Sequence, residues 1–183
     1  MPRLDIGGAA PQRLELDPCE DQFWVHHLIW THLEERNELG VLVIGGSPLM
    51  HTLFAALAPL WRNALGGTSK VAAGVPEAIA GVRGEADRAA VLVAWDSHVY
   101  IGRASGCTLY HYHGGQLYAI PDEKPPPLAI APGNWIAATC GESSVKMDLK
   151  TVQGDMAKAY SAAQLAQAWA ERGGAVVVAL KAI

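Results

Sequence analysis

The most informative segment for predicting the fold of this chain is Gly40-Val-Leu-Val-Ile-Gly-Gly46. It is a continuous apolar run that ends in two glycines, which predicts a strand buried on both faces. Ser47-Pro48 then predicts the start of a helix, because serine caps helices and proline fits their first turn. That helix should end at Gly66-Gly67 and carry its apolar face on Leu53, Leu57, Leu60 and Trp61.

The sequence on both sides of this unit predicts mostly strands. Asp21 to about Trp30 is rich in β-branched and aromatic residues, which favours a strand over the helix that some of its spacings would also allow. The charge run Glu34 to Glu38 is interpreted as a solvated turn or short helix end. Downstream, turn residues, including the hairpin signal Gly114-Gly115, separate four predicted strands: Ala89–Trp95, His98–Ala104, Thr108–His113 and Gln116–Ile120.

The remaining predicted elements lie at the two ends and in the loops. A shorter helix is predicted from Pro76 to about Gly84, and a further strand over Trp135–Thr139. Ser161 and Gln164 have the spacing of a capping box, so a helix should begin there and end at Gly173-Gly174. A last strand is predicted over Ala175–Leu180. Residues 1–12 are predicted to be a flexible arm, residues 13–183 a single domain, and Arg13–Asp17 a short strand.

The order of these elements predicts an α+β domain. Strands follow one another in a meander instead of alternating with helices, which favours mainly antiparallel sheets flanked by helices. The chain has 183 residues, of which 50% are hydrophobic and 17% charged, so it can bury a full core and is not intrinsically disordered. We therefore expect one globular domain.

Charge and cysteine content exclude several classes of partner and compartment. The net charge is −4 and no Lys/Arg cluster is present, so we expect no nucleic-acid partner. No apolar run has the length of a membrane span, and the N-terminus lacks the layout of a secretory signal. Three widely spaced cysteines do not form a disulfide framework. We expect a cytoplasmic protein without a membrane partner.

His111 and His113 are the most evident candidate ligands that the sequence presents. Side chains two residues apart lie on one face of a strand, so the two imidazoles form a possible metal pair. Two ligands do not make a site, and ordinary histidines at the end of a hairpin are the favoured interpretation. The sequence has six tryptophans, and core packing is the default interpretation because four of them lie among apolar neighbours: Trp61, Trp95, Trp135 and Trp169.

The order of five short motifs resembles the metal-dependent Ser/Thr protein phosphatases of the PPM (type 2C) family. The resemblance covers nearly the whole chain from about residue 13. The motifs are Cys19-Glu20-Asp21, Val43-Ile44-Gly45-Gly46, the stretch Trp95 to Arg103, the stretch Pro132 to Gly141, and Ala170 to Gly174 before Ala175–Val178. The resemblance implies an αββα sandwich. N-terminal-nucleophile hydrolases have a similar layering but need a Ser, Thr or Cys at their N-terminus, and this sequence begins Met-Pro-Arg.

The acidic residues that hold Mg²⁺ or Mn²⁺ in this family are mostly replaced. The resemblance puts Ile44 in the place of the aspartate before Gly45, Cys140 in the place of the aspartate before Gly141, and Gly173-Gly174 in the place of the acidic pair. Only Glu20 and Asp21 remain, as a vestigial metal site. Arg13 is the one nearby candidate for the family's phosphate-binding arginine.

Three functions remain open at this point. The first is a catalytically inactive phosphatase-like domain without a cofactor, which binds a phosphoprotein or a sister phosphatase in a regulatory role. The apolar richness of the sequence also leaves room for the interface of a homodimer. The second is an active or remodelled phosphatase with Mg²⁺ or Mn²⁺, or a thiol or zinc hydrolase built on Cys140 and Cys19, with Cys107 further away. For these cysteines, packing as small apolar residues is the favoured interpretation. The third is a small-molecule binding module that uses Trp and His side chains.

Overall fold

The computed structural model of the chain describes residues 2–11, 21–32, 34–46, 89–103, 106–120, 125–140, 148–173 and 175–183. Within these ranges the chain forms ten strands and two helices. The strands are β1 (Leu4–Ala9), β2 (Asp21–His32), β3 (Glu35–Gly46), β4 (Ala89–Trp95), β5 (His98–Arg103), β6 (Cys107–His113), β7 (Gln116–Ala119), β8 (Leu128–Ala129), β9 (Trp135–Cys140) and β10 (Val176–Ala182). The helices are α1 (Leu149–Lys158) and α2 (Ala162–Gly173).

The strands form two five-stranded sheets. Sheet I has the strand order β1-β10-β9-β6-β7, and sheet II has the order β2-β3-β4-β5-β8. All neighbouring strands in both sheets are antiparallel. The prediction of mainly antiparallel sheets in an α+β fold is confirmed.

The main core lies between the two sheets. Alternate side chains of each strand enter it, as the two-residue period of a strand requires. Sheet II contributes Leu42, Ile44 and Leu92, and sheet I contributes Leu109, Ile136 and Val178. The next residues along β3 and β4, among them Val41, Val43, Val91 and Val93, are also buried, so these strands are covered on both faces, as the run Gly40–Gly46 predicted.

Helices α1 and α2 cover the outer face of sheet I. Their buried side chains Val152, Met156, Leu165 and Trp169 form one cluster with Tyr110, Trp135 and Val177 of the sheet. Helix α2 has the predicted cap, because the Ser161 hydroxyl oxygen accepts the Gln164 N–H at 3.2 Å. Helix α1 was not predicted, since it contains Gly154 and buries only Val152 and Met156. Neither described helix has the length and hydropathy needed to span a bilayer.

The prediction of a flexible arm over residues 1–12 is wrong for Leu4–Ala9, which forms the edge strand β1 on β10. The carboxylate of Asp5 accepts the N–H of Ala162 at 2.8 Å, which fastens β1 to the start of α2. A Cβ at Gly7 would lie 2.5 Å from the backbone of Ala163, so glycine permits this close packing. The sequence signal Gly7-Gly8 therefore marks a close approach and not a loop.

The prediction of a solvated turn over Glu34–Glu38 is also wrong for most of its length. Glu35 to Glu38 belong to β3, and the Glu38 side chain is only 2% exposed. Its carboxylate accepts hydrogen bonds from the N–H of Leu4 at 2.8 Å and from Arg36 Nε at 2.7 Å. His27 Nε2 lies 3.1 Å from the same carboxylate. Three partners, from β1 of sheet I, from the adjacent strand β2 and from β3 itself, thus compensate for the burial of a charged group.

Other boundaries agree to within a residue or two. Strands β4, β5, β6, β7, β9 and β10 were predicted, whereas the two-residue strand β8 was not. Positive φ angles at Asp96 (46°) and Ser97 (63°) give the tight turn between β4 and β5. The predicted strand 13–17 and the predicted helices that begin at Ser47 and Pro76 lie outside the described residues.

Candidate functional site

Those positions of the phosphatase-like motifs that the structure describes in strands, namely Asp21, Ile44, Gly45 and Cys140, lie towards one end of the sandwich. In sheet II, β2 begins at this end with Asp21, β3 ends there with Gly46, β4 begins there with Ala89, and β5 ends there with Arg103. In sheet I, the register places Cys107, Cys140, Val176 and Ala9 side by side at the ends of their strands. We call this region the motif end.

Two contacts between the sheets establish that these strand ends face each other. Gly8 near the end of β1 lies so close to the ring of Phe23 in β2 that a side chain at Gly8 would overlap it. At the other edge, Arg103 Nη1 donates a hydrogen bond to the carbonyl of Ile120, after β7, at 3.4 Å. The ends of sheets I and II that carry the predicted site residues are therefore the same end of the molecule.

Ile44 and Cys140 are buried side chains of the core at the motif end. Each has an exposed fraction of 0% and belongs to the apolar cluster between the sheets, together with Ala90, Leu109 and Val176. Within the described residues, the only polar contact of the Cys140 side chain is a weak hydrogen bond from Sγ to the carbonyl oxygen of Gly106, at 3.7 Å. The two positions that resemble metal-binding aspartates therefore face hydrocarbon.

The other predicted positions are placed by their backbone alone. Asp21 lies opposite Gly46 in the β2–β3 register, and Gly45 lies opposite Gln22. Gly173 ends α2, three residues before β10 begins at Val176. Glu20, Gly141, Cys19 and Arg13 lie outside the described residues, and their roles remain predictions.

The prediction that Cys107 lies further away is wrong, because Cys107 is directly opposite Cys140 in the β6–β9 register. Both side chains belong to the core between the sheets, and both residues are thiols and not a disulfide. The Arg103 guanidinium is close enough to interact electrostatically with Cys107. Burial lowers the pKa of Arg103, and the neighbouring Cys107 acts in the opposite direction.

His111 and His113 share one face of β6, as their spacing predicted, and their rings stack with centroids 5.9 Å apart. The Nδ2 of Asn134 lies 2.9 Å from Nδ1 of His113, and Oδ1 of the same amide accepts the N–H of Ala131 at 3.0 Å. The second bond orients the amide, so Nδ2 donates and a neutral His113 carries its proton on Nε2. Burial, followed by the charge of His113, lowers the pKa of His111.

This arrangement favours ordinary histidines over a metal pair. A metal at His113 Nε2 would need the proton to move to Nδ1, where it would meet the amide hydrogens of Asn134. No group of three or more His, Cys, Asp or Glu side chains suited to a metal occurs among the residues that the structure describes.

Comparison with solved structures identifies the class of fold. The chain aligns over 98% of its length with the phosphatase domain of the cell fate determinant SpoIIE from Bacillus subtilis, with 10% identity, 92% coverage of that chain and a TM-score of 0.56. It aligns equally far with the Mycobacterium tuberculosis serine/threonine phosphatase PstP/Ppp, with 14% identity, 98% coverage of that chain and a TM-score of 0.57.

A further neighbour is the catalytic domain of PstP in complex with 2 manganese ions. The alignment covers 99% of this chain and 98% of that chain, with 14% identity and a TM-score of 0.58. No family model and no curated protein matches the sequence. The chain therefore has the fold of PP2C-type Ser/Thr phosphatase domains, and the predicted fold is confirmed.

Proposed function

We propose that this chain is a pseudophosphatase, a phosphatase-like domain that acts by binding other proteins instead of hydrolysing phosphate esters. The observation that carries the proposal is the complete burial of Ile44 and Cys140 in the apolar core at the motif end. Both positions correspond, by the resemblance of motifs, to aspartates that hold metal ions.

The chemistry of these side chains does not fit Mg²⁺ or Mn²⁺. Both ions are hard cations that take oxygen ligands, mostly carboxylates and water. Isoleucine offers no lone pair, and a buried thiol is a soft ligand suited to other metals. Since Gly173-Gly174 also lacks carboxylates, Asp21 and Glu20 would be the only acidic ligands left. One acidic pair does not hold a binuclear centre, so we derive no metal-dependent step for this chain.

Binding is the activity that a retained fold with a lost metal site supports. The strands that carry the motifs still run in register to the motif end, so the scaffold is kept although the oxygen ligands for Mg²⁺ or Mn²⁺ are largely replaced. We infer a regulatory role in which this domain holds a phosphoprotein or a catalytically active phosphatase of the same fold. Binding either partner would require no cofactor in this chain.

A phosphatase assay tests the absence of catalysis. The full chain is incubated with p-nitrophenyl phosphate and Mn²⁺, beside the Asp21→Ala variant and the PstP catalytic domain as a positive control. We expect the same background rate for the wild type and for Asp21→Ala, with or without Mn²⁺. A manganese-dependent rate in the wild type that Asp21→Ala abolishes would show an active enzyme and refute the proposal.

A binding assay tests the other half of the proposal. Fluorescence anisotropy compares labelled phosphothreonine peptides with their unphosphorylated forms, and analytical gel filtration tests co-elution with the PstP catalytic domain as a representative phosphatase of this fold. Saturable binding in either experiment supports a binding role. Failure of both would contradict the two partner classes that we propose.

A further inference from the structure

We propose that Cys107 and Cys140 are an oxidisable pair, which a peroxide or a small-molecule disulfide converts into a disulfide between β6 and β9. The inference rests on the register, the hydrogen-bond pattern and the burial of the two residues. It holds whether or not the domain hydrolyses phosphate esters, because it uses neither Asp21 nor any metal.

The hydrogen-bond pattern shows which kind of cross-strand pair the two cysteines form. In antiparallel sheets, opposed residues alternate between hydrogen-bonded and non-hydrogen-bonded pairs. Ala182 N donates to Asn134 O at 2.9 Å, which makes these two residues a hydrogen-bonded pair of β10 and β9. Hydrogen-bonded pairs recur at every second position of the register, so Val176 and Cys140, six residues further along, are also a hydrogen-bonded pair. The backbone of Cys140 thus bonds to β10, which leaves Cys107 and Cys140 as a non-hydrogen-bonded pair.

The other edge of β6 gives the same answer independently. Ile120 N donates to Leu109 O at 3.1 Å, so the backbone of Leu109 bonds toward the β7 side. Its neighbours Thr108 and Tyr110 therefore bond toward β9, and Cys107 again does not. Two separate contacts agree on the type of pair.

A non-hydrogen-bonded pair has the spacing that a disulfide needs. Its Cα atoms are typically about 4.5 Å apart and its side chains are close. Disulfides span Cα distances of about 4.4 to 6.8 Å, so the bond can form without a shift of the strands. Both side chains also point to the same face of sheet I, into the core between the sheets.

The surroundings favour oxidation of Cys107 first. Cys107 is 6% exposed and Cys140 is 0% exposed, so an oxidant reaches Cys107 more readily. The Arg103 guanidinium also interacts electrostatically with Cys107. The Cys140 thiol lies on the adjacent strand, ready to react with the oxidised sulfur.

The reaction with hydrogen peroxide balances in two steps. The Cys107 thiolate attacks one peroxide oxygen, the O–O bond breaks, and a sulfenic acid and hydroxide form. The Cys140 sulfur then attacks the Cys107 sulfur, displaces hydroxide and gives up its thiol proton, and the S–S bond forms. Overall, two thiols are oxidised by two electrons, and one peroxide is reduced to two water molecules.

Thiol counting and peptide mapping test the proposal. The full chain is treated with hydrogen peroxide under native conditions, then unfolded with an alkylating agent and digested with chymotrypsin. We expect two of the three thiols to be lost, a mass decrease of two hydrogens, and a peptide that links Cys107 to Cys140. The melting temperature should rise on oxidation and return with dithiothreitol, because the bond restricts the unfolded chain.

Single variants distinguish this pair from any other. Cys19→Ala should behave as the wild type, whereas Cys107→Ala and Cys140→Ala should form no intramolecular disulfide. If a core variant folds poorly, the wild-type peptide map still shows whether Cys107 and Cys140 are linked. A bond to Cys19, a bond between two chains, or overoxidation of a single cysteine without any link would overturn the proposal.

Discussion

Ile44 combines two properties that are incompatible with an ion ligand, namely an apolar side chain and complete burial. Its cross-strand partner Ala90 and the other members of its core cluster, such as Cys140, offer no positive charge to a carboxylate. A carboxylate at this position would therefore have to be buried without a partner or push the strands apart. Among the described residues, Ile44 therefore supports the proposed loss of the metal site most strongly.

Substitutions of Ile44 test whether its site can accommodate a charged side chain. We expect Ile44→Asp to lower the free energy of unfolding by about 3–5 kcal/mol, because it buries an unpaired charge. The control Ile44→Val should cost only about 0.5–1.5 kcal/mol. Urea unfolding followed by tryptophan fluorescence measures both. If Ile44→Asp were as stable as Ile44→Val, the site would have to be more polar than the structure shows.

The buried carboxylate of Glu38 should make the free energy of unfolding depend on pH, and the direction of its pKa shift fixes the sign of that dependence. Burial alone would raise the pKa of Glu38, but hydrogen bonds from the Leu4 N–H, from Arg36 and from His27 lower it below the usual value. On acidification through about pH 4.5, the unfolded carboxylate takes up a proton before the folded one does, so the folded state loses stability. We expect the free energy of unfolding to fall as the pH drops below that value.

The variant Glu38→Gln isolates this contribution. It should be less stable than the wild type at neutral pH, because the buried donor of Leu4 loses a charged acceptor. Its free energy of unfolding should also fall less steeply with acid than that of the wild type. Denaturant curves between pH 7 and pH 3 measure the difference in slope. Parallel pH profiles for the two proteins would contradict this account of Glu38.

At the scale of elements, two glycines provide a matched pair of substitutions. A Cβ at Gly7 in β1 would meet the backbone of Ala163 in α2, whereas a Cβ at Gly154 in α1 would meet nothing within 4 Å. We expect Gly7→Ala to cost about 1–3 kcal/mol by overpacking. Gly154→Ala should gain about 0.5–1 kcal/mol, because alanine favours the helix.

Thermal and urea unfolding of both variants test whether α2 lies on β1 as described. The two variants should change the free energy of unfolding in opposite directions. This is the informative result, because a general intolerance of alanine would destabilise both proteins. A neutral effect of Gly7→Ala would mean that α2 does not pack closely against β1.

The strands that the sequence predicted are those whose local pattern matches their burial. Leu39–Ile44 of β3 and the whole of β4 are continuous apolar runs that are buried on both faces, and glycine or polar turns bound the meander β4–β7. β1 was missed because two consecutive glycines are typical of a loop. The local sequence does not show that α2 packs against Gly7 and that Phe23 packs against Gly8. α1 was missed because only two of its side chains are buried, so its apolar stripe is weak.

At the scale of the whole molecule, the motif end is assembled from strands that are distant in sequence. The order of motifs predicted that the positions of Asp21, Ile44 and Cys140 belong together, and the register brings their strand ends to one end of the sandwich. The pairing of Cys107 with Cys140 could not be predicted. It requires β6 and β9 to be neighbours in a particular register, and no local pattern specifies a contact across 33 residues (140 − 107).

We propose that apolar and sulfur side chains replace the oxygen ligands of a metal centre within this PP2C-type fold. Crystals of the full chain soaked in manganese chloride test it most directly, through anomalous diffraction at the manganese edge. We predict no anomalous peak beside Ile44, Cys140 and Asp21. Two peaks bridged by a carboxylate at the motif end would show a working metal centre and contradict the account.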